Sequence, residues 1–505
     1  MYIPFSKQLG DFNEEFGNTY CLFENRLVGN QSDNPDVGFS EKVVTPDKMF
    51  KKYFSDNDHR VDQQAYLNAR IFDMLIGDWD RHEDQWTWAS FKEGKHTIYR
   101  PVPRDRDQAF AKLDGLIPWL ATRKFALRQT QDFGKTIKDV NGLMWTGRNQ
   151  DRLFTTALTK EDWINCVRAM QKNLTDEVID SSLKKMPEVI YLLSGKRITE
   201  RLKSRRDHLE QYALQYYRFV NKEVEVTGTE DREFFEVTRL NNNQTNVKVY
   251  NINKEGAKGR LFFERTFNGG ETKEIRLYGM GNNDVFELTG NTGKAIRIRI
   301  IGGNGKDSIT DSSVVRGLAK KTKVYDTPET IVHPSAETKL YLSKDSTINS
   351  YSPRSFQYNW NGPLPYYGYN PDDGIFIGIG RTIRKQQWRK KPYGWQQTIM
   401  ANYAFSTSSF NVVYKGIFKQ LVGKWDFNIL AAIHAPNYTF FYYGTGNETK
   451  LPGRQRSYNR IRSEQYVFSP SLTKPIGKIQ QLTIGAGYKS VELEENQKRK
   501  VKSEK

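Results

Sequence analysis

The chain has 505 residues, with 77 Lys and Arg against 59 Asp and Glu, for a formal net charge of +18. That length sets the expectation at two to four domains, at roughly 150 residues each. A mean hydropathy of −0.73, with no apolar run long enough to cross a bilayer, excludes a transmembrane helix. It does not exclude a membrane β-barrel, whose alternating strands score weakly.

Residues 1–48 are irregular and rich in Asn, Asp and Gly. The opening Met1-Tyr2-Ile3-Pro4-Phe5 lacks the basic-then-apolar shape of a signal peptide. Tyr20-Cys21-Leu22-Phe23-Glu24 predicts a short buried strand. Thr45 before Pro46 predicts a helix start. Residues 61–76 predict the strongest helix of this region, because Val61, Ala65, Ala69, Phe72 and Ile76 recur on one face and Gly77 stops the run. The helix delivers the loop Asp78-Trp79-Asp80-Arg81-His82-Glu83-Asp84-Gln85-Trp86. Strand-like runs at 87–91 and 96–102 then form a hairpin that ends in Pro103-Arg104-Asp105-Arg106-Asp107-Gln108-Ala109-Phe110. The hairpin is expected to fold the two loops together and gather Asp78, Asp80, Glu83, Asp84, Asp105 and Asp107.

Beyond Phe110 the pattern stays helical. Thr159-Lys160-Glu161-Asp162 predicts a capping box, and residues 197–220 predict one long helix. Its basic part (Lys196, Arg197, Arg201, Lys203, Arg205 and Arg206) reads as a solvated face, with a phosphate- or lipid-facing surface as the alternative. Cys21 and Cys166 lie far apart without metal-ligand spacing and read as buried thiols. From Glu223 the period changes to two, which predicts strands. Gly302-Gly303-Asn304-Gly305-Lys306-Asp307 has the form of a calcium-binding β-roll turn, and Gly279 to Asp284 has it in part. Two copies are too few for a β-roll, so calcium is not expected at Asp307, and a sandwich or solenoid with tight glycine turns is. Residues 312–350 read as a polar linker. Aromatic-rich alternating strands follow from Ile375 to Val491, ahead of a charged tail at 494–505.

The acidic loops hold the inventory of a phosphoryl-transfer site: one carboxylate to orient a nucleophile, and others to hold a divalent ion by hard oxygen ligands. Asp80-Arg81-His82 resembles the catalytic loop of the atypical kinase-like superfamily that includes HipA-type and spore-coat CotH kinases. Asp105-Arg106-Asp107-Gln108-Ala109-Phe110 is similar to that superfamily's later metal loop. The resemblance implies Asp80 as catalytic carboxylate, Arg81 and His82 as its braces, and Asp105 or Asp107 as ligand for Mg2+ or Mn2+ beside ATP or another nucleotide. Gln85 stands where that superfamily has Asn or Glu, and a neutral amide is a weaker metal ligand than Glu. The resemblance implies a nucleotide-binding lobe before the catalytic loop, which needs more room than the residues ahead of Asp80 give, so the expectation is either that the lobe is missing or that this is a fragment of a longer secreted protein.

The entry Tyr369-Asn370-Pro371-Asp372-Asp373-Gly374 and the glycine-rich strand after it resemble the start of a surface-antigen barrel of the BamA/TamA type. About six strands can be counted, fewer than such barrels need. The expected fold class is α+β and multidomain: a mainly helical kinase-like C-lobe at 1–222, a β-sandwich or solenoid spacer at 223–311, a linker at 312–355, and a partial antiparallel outer-membrane β-barrel at 356–505. The expected function is an outer-membrane-anchored protein with an active or degenerate phosphoryl-transfer or phospho-ligand domain. Its partners would be outer-membrane lipid and a phosphorylated small molecule or protein substrate, with no specific nucleic acid. The alternatives are a non-enzymatic assembly or secretion component, part of a multidomain protein of the metallophosphatase type, and a basic binder of polyanions. Asp80-Arg81-His82 formally fits a metallophosphatase Asp-x-His motif, but that family's other motifs are absent.

Overall fold

A computed structural model describes residues 2–3, 7–20, 27, 30–241, 243–317, 319–443, 459–477 and 479–493. Cys21 to Glu24 of the first predicted strand, and the tail at 494–505, lie outside the described residues. The chain divides into two compact units, Met1–Ser355 and Phe356–Lys505.

In the first unit, helix Gln63–Ile76 is fixed at both ends. The Asp62 carboxylate accepts the Ala65 N–H at 2.9 Å, and the Gly77 N–H donates to the Asp73 carbonyl from a left-handed conformation, φ +77°. Leu67, Ile71, Met74 and Leu75 enter one apolar core with Trp163, Val167, Leu209 and Tyr216. Helix Lys160–Asn173 starts with the predicted capping box between Thr159 and Asp162. The predicted long helix is instead two, Lys196–Asp207 and Leu209–Val220, separated at His208. Its basic residues are largely engaged inside the fold: Arg201 and Arg205 donate to the carbonyls of Phe133 and Gly134, and Arg206 pairs with Asp176.

Alongside these helices lies a four-stranded sheet in the order Lys42–Val44, Trp86–Glu93, His96–Pro103, His59–Val61. Its central pair is the predicted hairpin, with Trp86 opposite Pro103 and Glu93 opposite His96. Trp86, Trp88, Tyr66 and Phe154 fill the core beneath it.

The β region of this unit is a coil of parallel rungs. Strands Glu223–Thr227, Glu274–Met280, Arg297–Gly303, Thr322–Asp326 and Thr338–Leu342 stack in parallel to form one sheet. Strands Glu233–Leu240, Val285–Thr289, Ser308–Asp311 and Ile331–His333 stack in parallel to form the other. The antiparallel pair Gln244–Ile252 and Lys258–Asn268 covers one edge. The rung repeat is 23 residues between Asp284 and Asp307. Residues 312–350, expected as a linker, contribute three of these strands. Their sequences, Thr322-Lys323-Val324-Tyr325-Asp326, Ile331-Val332-His333 and Thr338-Lys339-Leu340-Tyr341-Leu342, mix polar residues with β-branched, leucine and aromatic ones, which suits short rungs that carry both buried and exposed positions.

The second unit is an eight-stranded antiparallel sheet. Its neighbours run Trp360–Asn370, Gly374–Lys385, Trp395–Ala404, Ser409–Val422, Trp425–Phe441, Arg460–Ile476 and Gln480–Gly485, with Tyr488–Leu493 also paired to Arg460–Ile476. The expected fold class is corrected on two points. The protein is 25% helical and 41% strand, so it is not mainly helical, because the region of the acidic loops carries its own sheet and the presumed linker is part of the coil. The last sheet is not a closed barrel: among the described residues its path ends at two edge strands, Trp360–Asn370 and Gln480–Gly485.

Gly77 tests how tightly the acidic loop is seated. A Cβ there would stand 2.8 Å from Arg205 Nη1 and 2.9 Å from the Phe133 ring, on a backbone that side chains rarely adopt. Gly77→Ala is therefore expected to cost about 1–3 kcal/mol in equilibrium unfolding.

Candidate functional site

The two acidic loops meet through the side chain of Arg81, which is fully buried. Its Nε and Nη2 donate to Asp78 Oδ2 at 2.7 and 2.6 Å. Its Nη1 donates to the carbonyls of Gln85 at 3.0 Å and Arg104 at 2.5 Å, and its Nη2 reaches the Asp105 carbonyl at 2.7 Å. One guanidinium thus ties the loop after the helix to the loop after the hairpin. The Arg81 N–H is itself held by Thr146 Oγ1 at 3.0 Å, and the Thr146 hydroxyl donates to the Trp79 carbonyl.

A second layer lies below. Asp73, on the last turn of helix Gln63–Ile76, is buried among Arg70, Arg81 and Arg106, with Arg106 donating at 3.1–3.2 Å. Arg70 grips Asp151 by two bonds, at 2.7 and 2.9 Å, and Asp151 also accepts the hydroxyls of Tyr66 and Tyr216. Burial pushes the Asp73 and Asp78 carboxyls up, and the neighbouring guanidiniums oppose that shift.

The expected cluster of six carboxylates separates into different roles. Asp78 is consumed by Arg81. Glu83 pairs with Arg354, whose Nε lies at 3.0 Å. Asp84 projects into solvent. Asp80 is half-buried, with His82 Nε2 at 3.9 Å from its Oδ1. His82 Nδ1 accepts the Asp84 N–H at 3.3 Å and so caps the short turn Glu83–Gln85. Asp105 is exposed, on a backbone with φ +44°, and Asp107 is exposed with Gln108 donating to it at 2.9 Å. Of the two expected braces Arg81 is the structural one, and His82 is a surface cap. Arg70, Asp73, Asp151 and Arg354 carry much of the arrangement. Only the helical spacing of Arg70 and Asp73 hinted at any of these in the sequence.

Asp105, Asp107 and Gln85 offer hard oxygen donors of the kind that suits Mg2+ or Mn2+. Among the described residues no group of three or more His, Cys, Asp or Glu is placed to hold a metal by itself. Comparison with protein families, curated proteins and solved structures finds no match for the chain.

Asp307 belongs to a different construction, a column of buried acids in the parallel coil. The Glu233 N–H donates to Asp284 Oδ1 at 2.7 Å, and the Asp284 N–H donates to Asp307 Oδ1 at 2.8 Å. Asp326 stands beside Asp307, and both carboxyls fill the space next to Gly302 that a Cβ would take. Burial, and then the neighbouring Asp326, push Asp307 up to about 7. Burial pushes Glu233 to about 7 as well.

Two outcomes test these assignments. Arg81→Met leaves Asp78 buried without its partner and is expected to cost about 3–5 kcal/mol in chemical denaturation. The acid column gives a pH dependence of definite sign. Its folded pKa values lie above the unfolded ones, so its contribution is complete below about pH 4 and is lost as pH rises through about 7. Thermal unfolding should therefore move to lower temperature between pH 5 and pH 8.5, and Asp307→Asn should flatten that slope.

Proposed function

We propose that the first unit binds a phosphorylated ligand, with a nucleotide and divalent ion as first candidates, at the two loops joined by Arg81. The observation that carries this is the division of labour among the carboxylates. Asp78 and Asp73 are committed to guanidiniums; the Asp105 carbonyl accepts from Arg81 and the Asp80 N–H donates to Asp78 Oδ1, while among the described residues neither the Asp80 nor the Asp105 carboxylate is paired with a guanidinium. Preorganised carboxylates next to rigid backbone are what phosphoryl transfer asks of a protein, whose part is positioning and charge stabilisation. In this reading Asp80 accepts a proton from the attacking hydroxyl or orients it, and His82 stands against Asp80. Asp105 and Asp107, with Gln85, would hold the ion. When bound, the ion supplies neutralisation of phosphate charge.

The second unit supports a place at the outer membrane. Its sheet carries exposed apolar side chains in cross-strand rows: Tyr369 lies opposite Ile375, and Tyr367 is opposite Ile377, which is opposite Tyr403. A sheet face of this kind suits contact with lipid. Its edge strands would need hydrogen-bond partners there, because hydrocarbon offers none.

A second reading is favoured by the arginine network itself. Asp73, Asp78 and Asp151 are all neutralised inside the fold, the pattern of a scaffold, and that suits a non-enzymatic assembly or secretion component.

Thermal shift of the full chain with ATP and magnesium separates the two. The first reading expects stabilisation that disappears in Asp105→Asn. It also expects Asp80→Asn to keep binding and lose phosphoryl transfer. A ligand at about a hundred times its dissociation constant gives ~2.7 kcal/mol, well within reach of the measurement. Unchanged unfolding with nucleotide, metal and both together supports the scaffold.

A further inference from the structure

The first unit exposes an apolar surface that its own core does not use. Helix Leu116–Ala121 presents Leu116 and Ile117 at 72% and 78% exposure, with Trp119 and Leu120 about half exposed. The turn Tyr191–Gly195 presents Leu192 and Leu193 at 76% and 78%. The two segments are rooted at one place. The Leu113 N–H donates to Asp132 Oδ1 at 3.1 Å, and Arg201 holds Asp132 Oδ2 at 3.3 Å from helix Lys196–Asp207, which the Leu192 turn enters directly. Asp114 also feels the charge of Arg197.

The sequence that flanks each apolar segment is basic. Residues 112–124 hold Lys112, Arg123 and Lys124 against the single acid Asp114, and residues 184–197 hold Lys184, Lys185, Lys196 and Arg197 against Glu188. Lys124, Lys184, Lys185 and Lys196 are exposed. Arg123 lies over the Trp119 ring at 4.0 Å, which keeps an aromatic edge and a cation together at the rim.

We propose that this apolar tip with its lysine rim docks onto an anionic lipid surface. Aliphatic groups and a Trp would enter the boundary between headgroups and acyl chains, and the lysines would lie at the headgroup phosphates with their stems along the apolar surface. Charge favours lipid over a second copy of the chain, because self-association would bring two lysine rims face to face. The inference stands apart from the phospho-ligand reading, since it uses none of the loop residues.

The test is flotation of the full chain with vesicles of neutral phosphatidylcholine and with vesicles that also contain phosphatidylglycerol. Any lipid contact of the second unit is common to all variants, so the readout is the gain on adding the anionic lipid. Two lysines near such a surface are worth roughly tenfold or more in binding. Lys184→Glu with Lys185→Glu is expected to abolish that gain. Leu116→Ser with Ile117→Ser, and separately Leu192→Ser with Leu193→Ser, should weaken binding to anionic vesicles about tenfold or more while circular dichroism stays unchanged. The two apolar pairs lie in different segments, so one misfolded variant leaves the other to decide. Variants that bind like the parent chain overturn the proposal. So does sedimentation showing that the parent chain self-associates without lipid and that these substitutions dissolve the oligomer.

Discussion

Burying one guanidinium completely is the constraint on which the acidic loops depend. Removing such a charge from water costs several kcal/mol, and that cost is offset only when its donors find full complements. Arg81 finds them in one carboxylate and three carbonyls, and the carbonyls come from both sides of the hairpin. The separation of the two loops is thus set by the reach of one side chain. Asp73 extends the arrangement downwards by serving three arginines at once, and Arg70 carries it on to Asp151 and two tyrosine hydroxyls. Asp80 and Asp105 lie outside this network on backbone that the network fixes.

The same unit buries carboxyl groups in two physically different ways. Burial alone would raise Glu274, yet bonds from Arg299 and Arg276 hold it down at about 2. Among the described residues, Glu233, Asp284 and Asp307 accept no guanidinium hydrogen bond, and there burial pushes the acids toward their neutral form. One region is stabilised by charge pairing and the other by protonation, so acid and base affect them in opposite directions.

What the sequence made legible was local. The helix ending at Ile76, its stop at Gly77, the hairpin and the capping box at Thr159 each rest on residues a few positions apart, where periodicity and capping chemistry act directly. The rest depended on burial or on distance along the chain. Asp78 and Asp80 are the same residue type in one loop, and only the position of Arg81 separates the structural carboxylate from the uncommitted one. Asp151 lies 81 residues from Arg70. Arg205 looked like a solvated charge, and is instead a buried donor to the Gly134 carbonyl. The rungs between Thr322 and Leu342 are short and polar on one side, so composition made them look like a linker, and only parallel pairing with preceding rungs makes them strands. The last sheet's alternation was visible, but alternation does not say whether a sheet closes.

The acid column also limits how this protein can change in size. Asp284 and Asp307 each take the backbone N–H of the acid one rung before, and their strands pair in parallel register. Successive rungs are 23 residues apart from Arg276 to Arg299 but 24 apart from Ile298 to Thr322, so the turns take up an added residue, whereas a one-residue slip inside a strand would bring its apolar positions out and its polar ones in. Variation in length therefore belongs to the turns, and the strands whose register lines up the acids are the part held fixed.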